Sequence, residues 1–134
     1  MTVLPPVSKP LTGPIIDRTG VLDPTALSGL VQLDPTGANR LLPRVFNTYV
    51  VSLARLMEQL AQSRETGDHA GIRLAAHTLK SSSASVGALA LSALCAEAEQ
   101  AVREGRPDAL PLVLDHLQAE AARVDSAVRQ LLAD

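Results

Sequence analysis

The sequence predicts an all-α domain: an antiparallel up-down-up-down four-helix bundle with a short additional N-terminal helix. Three observations carry this. Apolar residues recur at spacings of three and four along four long stretches, the pattern that lines one face of an α-helix. No stretch shows the period-two alternation of a half-buried strand. The breaks between the four stretches are short, so consecutive helices must be antiparallel neighbours. Composition agrees. Apolar residues make up 46% of the chain, but with one Phe, one Tyr and no Trp the core must be filled by Leu, Ala and Val, which suits helix-on-helix packing. At 134 residues the chain has the length of one domain.

The first 22 residues hold four of the nine prolines, Pro5, Pro6, Pro10 and Pro14, which forbid a helix and spoil a strand. Residues 1–22 therefore read as a flexible proline-rich tail or linker, with a peptide-like binding segment as the lesser alternative. Residues 23–134 read as the bundle domain. Asp23 can cap a helix and Pro24 can take its first position, giving a short helix over about Pro24 to Gln32. The "DPTGAN" stretch then breaks the chain.

A long amphipathic helix follows from about Arg40 to Arg64, with Leu42, Val45, Phe46, Tyr49, Leu53, Leu56 and Leu60 on its apolar face. Pro43 falls in its first turn, where a missing N–H costs little. Thr66, Gly67 and Asp68 make the next break, and Asp68 is the expected cap of a helix running to about Ala84. Val86 and Gly87 mark a tight corner. The next helix spans about Ala88 to Glu104, with Leu91, Leu94, Cys95, Ala98 and Val102 on one side, and "EGRP" ends it. The last, from about Asp108 to Leu132, repeats the pattern with Leu110, Leu114, Leu117, Ala121, Val124, Val128 and Leu131.

Several function classes are excluded. A formal net charge of −2 gives no electrostatic case for nucleic acid. No apolar run approaches the length of a membrane span and no secretory pattern opens the chain, so no membrane insertion and a cytoplasmic location are expected. The single cysteine, Cys95, rules out an internal disulfide, fits a reducing compartment and reads as a small core residue. His69 and His116 show no metal-ligand spacing with His77 or with the cysteine, so neither a metal site nor a cofactor is expected. The serines at 81–83 read as one exposed and two packing residues. Asp115, Glu120, Arg123, Asp125 and Arg129 form a solvated face of the last helix.

His77 stands apart. At about 100° per residue, Ile72, Ala75, Leu79, Ser82 and Val86 form the core stripe of its helix, and His77 lies opposite. Its outer neighbours are Arg73, Lys80, Ser81 and Ala84. Such a residue is either a plain solvated histidine or a nucleophile kept open to another protein. Ser81 and Ala84 leave the ring unshielded. Lys80, three residues on, can reach a negative group placed on the ring. On the following helix Glu99 sits at the edge of the core stripe and can face across, whereas Glu97 points away. A carboxylate accepting from one ring nitrogen fixes the tautomer and frees the other nitrogen to attack. No glycine-rich phosphate cradle, metal cluster or oxyanion donor set accompanies it, so the site reads as a substrate for another protein's catalyst.

The segment "HTLKSSSASVGA" resembles the signature of histidine-containing phosphotransfer (HPt) domains, usually H-x-L-K-G-S-S/A-x-x-hydrophobic-G. The likeness in helix order extends over roughly residues 21–133. It implies a phosphocarrier in a multistep His–Asp relay, phosphorylated on Nε2 of His77 by one receiver-domain aspartate and discharged to another. The receivers would belong to response regulators or to a hybrid sensor kinase and would supply the catalytic aspartate and Mg²⁺, so the chain itself is expected not to be an enzyme. By the same resemblance Lys80 is the lysine that steadies the phosphoryl group and Gly87 the corner glycine. Glu99 falls where the family commonly has Gln or another polar group bonding the imidazole, and Arg103 where some members have a basic residue. Ser81 departs from the usual glycine after the lysine, at a position where glycine gives the partner room. A helical adaptor that binds signalling partners without phosphotransfer would use the same bundle and face; labelling of His77 separates the two. A hydrolytic use of His77 as a base lacks an acid partner and a pocket.

Overall fold

The computed structural model describes Asp17 and residues 19–133. These form α1 (Pro24–Gln32), α2 (Leu41–Thr66), α3 (His69–Ser85), α4 (Leu89–Arg103) and α5 (Leu110–Ala133), with a 3-10 turn at Pro107–Ala109 before α5 and no strand among the described residues. The last helix starts later than its periodicity suggests because Pro107–Ala109 wind in the tighter form. Most of the expected tail, residues 1–16 and 18, lies outside the described residues. The stretch next to it is attached: the Asp17 carboxylate accepts from the Leu22 N–H at 2.7 Å, and Leu22 is buried in the core.

The helix ends follow from local chemistry. Asp23 accepts from the Ala26 N–H at 2.9 Å, with Pro24 in the first turn, and Asp68 accepts from Gly71 N–H at 3.0 Å. The start of α2 is different. Arg40 takes a left-handed conformation and caps nothing with its side chain. The buried Asp34 does that work from seven residues upstream, accepting from the Leu41 N–H at 3.1 Å and from Asn39 N–H at 3.4 Å. At the other ends, α2, α3 and α4 each close with a bond reaching five residues back: Asp68 to Ser63, Ala88 to Ser83 and Arg106 to Ala101.

From α2 to α5 consecutive helices pack against each other, and α5 closes the ring against α2. With only Gly67 and Asp68 between α2 and α3, and residues 86–88 between α3 and α4, each helix must reverse on its predecessor. The core is a column of aliphatic side chains around two aromatics, Phe46 and Tyr49, with Leu53, Leu60, Ile72, Leu79, Leu91, Leu114, Leu117, Val124 and Val128. Val45, Leu94 and Val102 lie at its margin, partly buried. Across α2 and α5, Arg64 pairs with Asp115 at 2.8 Å and donates to Gln118 at 2.8 Å. No described helix is long and apolar enough to cross a membrane.

One position in α3 differs from the sequence reading. Ser83, not Ser82, is buried, and Ala76 is buried beside it. The packed stripe of α3 is turned toward α4 because Ala76 and Ser83 are small enough to permit close approach there. Ser83 also has a reason to be polar: its hydroxyl lies 2.8 Å from the Tyr49 hydroxyl inside the bundle. No buried side-chain nitrogen or oxygen among the described residues lacks a partner. Burial pushes the Tyr49 phenol to about 12, and burial followed by the charge of Glu99 pushes the Cys95 thiol to about 12, so Cys95 is a packing residue, inert as a nucleophile.

Candidate functional site

The site is built on the seam between α3 and α4. His77 stands on the outer side of α3 with 63% of its side chain exposed. Glu99 comes from α4, one turn on from the buried Cys95 and on the same side, and its side chain is only 7% exposed. The two meet directly: His77 Nδ1 lies 2.8 Å from Glu99 Oε2. The other carboxylate oxygen is also taken, since Lys80 Nζ donates to Glu99 Oε1 at 2.7 Å. A second tie runs beside them, from the Ser92 hydroxyl to the Lys80 carbonyl at 2.9 Å. Glu99 is thus held from two sides and reaches both donors of α3.

Charge explains the arrangement. The ammonium of Lys80, and after it the imidazole of His77, hold the Glu99 carboxyl below its ordinary value, outweighing the burial that acts against them. Glu99 is therefore the anion of the site. An anionic carboxylate only accepts, so Nδ1 must donate, which places the proton of a neutral ring on Nδ1 and the lone pair on Nε2. With Nδ1 engaged under the ring, the Nε2 edge is the one left to solvent. A phosphoryl acceptor needs this geometry: an exposed nitrogen with a lone pair on a ring that cannot turn freely.

The structure brings three of the sequence-identified residues into contact, His77, Lys80 and Glu99, and Glu99 is more deeply buried than an edge position implies. Glu97 is exposed on the far side of α4. Arg73, Ser81 and Ala84 are exposed within about two turns of His77 on α3, Arg103 is exposed at the end of α4, and neither arginine forms an ion pair among the described residues. Lys80 is placed on Glu99 rather than standing free beside the ring. Gly87 adopts φ +86°, and a side chain there would meet the backbone nitrogen of Asp23 at 3.1 Å and the Ala26 methyl at 3.2 Å. It lets α1 dock on the α3–α4 corner, where Asp23 N–H donates to the Gly87 carbonyl at 2.8 Å. Two contributors escaped sequence reasoning. Leu74, one turn before His77, is 67% exposed and adds an apolar surface beside the ring. Ser92 looks like any polar helix residue in the sequence, and only the register of α4 against α3 brings it to the Lys80 carbonyl. A groove of about 470 Å³ runs along the α2–α3 seam between Val45, Tyr49, Ser82 and Val86, on the other side of α3 from Glu99.

Among solved structures, the fold is similar to that of histidine-containing phosphotransfer protein B (HptB) from Pseudomonas aeruginosa PAO1. The TM-score is 0.76 at 24% identity, over 85% of this chain and 96% of that one. None of the curated proteins matches the sequence significantly. The family model described as "Hpt domain" matches residues 44–127, from the first turns of α2 to well into α5, with the whole His77–Lys80–Glu99 cluster inside. The chain therefore belongs to the Hpt domain family, the histidine phosphocarriers of phosphorelays.

Proposed function

We propose that His77 is the phosphorylated residue, taking the group on Nε2 from the aspartyl phosphate of one receiver domain and passing it to the aspartate of another. The observation that carries this is the 2.8 Å contact of Nδ1 with Glu99, which fixes the ring and leaves Nε2 outward. Lys80 lies within reach of a group on Nε2 and would offset part of the roughly −1.5 to −2 charge that a phosphoryl group adds at neutral pH. Arg73 lies one turn before His77 on the same helix, and Leu74, Ser81 and Ala84 give the partner a low surface to dock on.

The chain acts as a carrier, and the receivers, of response regulators or of a hybrid sensor kinase, supply the acidic pocket and its Mg²⁺. The unit that does this runs from about Leu22 through α5, and its free, buried Cys95 fits a reducing cytoplasm. The test is transfer from a phosphorylated receiver in the presence of Mg²⁺. An acid-labile, alkali-stable label should appear on the chain and vanish in His77→Gln, with helicity unchanged. A label that persists in that variant overturns the assignment. The absence of any label with a panel of receivers points to the adaptor role instead.

A further inference from the structure

We infer that the negative charge of Glu99, beyond its ability to accept a hydrogen bond, drives the onward transfer by keeping the Nδ1 proton on the phosphorylated His77 ring. This rests on His77 being the phosphorylated residue and asks what the carboxylate contributes once the group has arrived. The starting observation is that both partners of Glu99 are donors, one on each oxygen: Lys80 Nζ at 2.7 Å and His77 Nδ1 at 2.8 Å. A glutamine in the same place would present one oxygen and one NH₂, and the NH₂ would face either an ammonium or the ring N–H. The site is built for a carboxylate.

The chemistry of the step says why. On loading, the Nε2 lone pair forms the N–P bond while the P–O bond of the donor aspartyl phosphate breaks, its electron pair leaving with the aspartate carboxylate. The ring keeps its Nδ1 proton and becomes a phosphoimidazolium, so the charge of −2 on the acyl phosphate is shared as −1 on the carboxylate and −1 on the phosphorylated ring. On discharge, the next receiver's carboxylate forms the new P–O bond as N–P breaks, its electron pair returning to Nε2. If Nδ1 still holds its proton, the leaving group is neutral imidazole. If the proton has gone, the leaving group is an imidazolate anion, a far poorer one.

Of the charged groups near His77, Lys80 and Arg73 are cations one turn away on its own helix, which disfavour a positive ring. Glu99 is the anion set against them, and it touches the nitrogen that must stay protonated. It is a positioning residue that acts through His77, in the manner of the carboxylate that stabilises the imidazolium of a catalytic triad.

The experiment uses the protein phosphorylated chemically with phosphoramidate, so that no receiver is needed for loading. Nitrogen NMR of ¹⁵N-labelled phospho-His77 then reports whether Nδ1 is protonated at neutral pH, and discharge to an unphosphorylated receiver gives the rate. The unaltered chain should show a protonated Nδ1. Glu99→Gln should lose that proton and discharge about tenfold or more slowly, within the usual range for a positioned proton. Glu99→Asp should retain the proton. An unprotonated Nδ1 in the unaltered chain overturns the inference without recourse to any variant. So does a Glu99→Gln protein that discharges at the normal rate, whatever its ring protonation. If phosphoramidate labels the chain elsewhere than His77, the reading of the phosphorylated residue falls first and this one with it.

Discussion

Lys80 and His77 each hold one oxygen of the same buried carboxylate, and much of the behaviour of the site follows from that sharing. The ring is aligned, its inner nitrogen is occupied, and the lysine is stationed within a turn of the reactive edge. What remains is room for a partner. Ser81 is exposed, about 40° around the helix from His77 and one turn further on. A receiver must bring its aspartate to roughly 3–3.5 Å between reacting atoms, which leaves no place for a bulky neighbour. Ser81→Gly should preserve or speed transfer from a phospho-receiver. Ser81→Leu should slow it about tenfold or more, since small displacements from attack geometry are costly. Leucine is a good helix former and Ser81 is exposed, so thermal stability should hold. A Ser81→Leu protein that transfers at the original rate would show that the approach path does not depend on this position.

At the scale of the elements, the corner between α3 and α4 determines whether Glu99 meets His77 at all. Four residues before Gly87, Ser83 receives the bond that closes α3, and α4 then starts in the register that faces Glu99 across to α3. Gly87 makes the corner with a positive φ and has almost no room for a side chain against Asp23 and Ala26. Gly87→Ala combines a left-handed alanine with that crowding and should cost about 1–3 kcal/mol in chemical denaturation. A loss near zero would mean that α1 and the corner adjust freely. The corner was legible in the sequence because glycine before a new apolar repeat has few other uses. The start of α2 was not. Its cap comes from Asp34, across a loop whose path no local pattern reveals. The rotation of α3 was hidden for a related reason: a helical wheel centres its stripe on the large apolar residues, whereas the helix settles toward the side where Ala76 and Ser83 let α4 come close.

At the scale of the molecule, the bundle is a rigid holder for one exposed nitrogen. The four long helices and their order were legible because a Leu- and Ala-rich core leaves little but helix periodicity to read. The exposure of His77 and the approach of Glu99 followed from two wheels. The depth of Glu99 and the placement of Lys80 on it did not, since a wheel assigns directions and not distances between helices. On the proposed role of His77, the ring geometry singles out one atom: with Nδ1 bonded to Glu99, a phosphoryl group would have only Nε2 to occupy. A ³¹P–¹⁵N correlation spectrum of the ¹⁵N-labelled chain, loaded by a phosphorylated receiver, tests this most directly. The expected result is one phosphorus coupled to Nε2 of His77. Coupling to Nδ1, or to a nitrogen of His69 or His116, would contradict it.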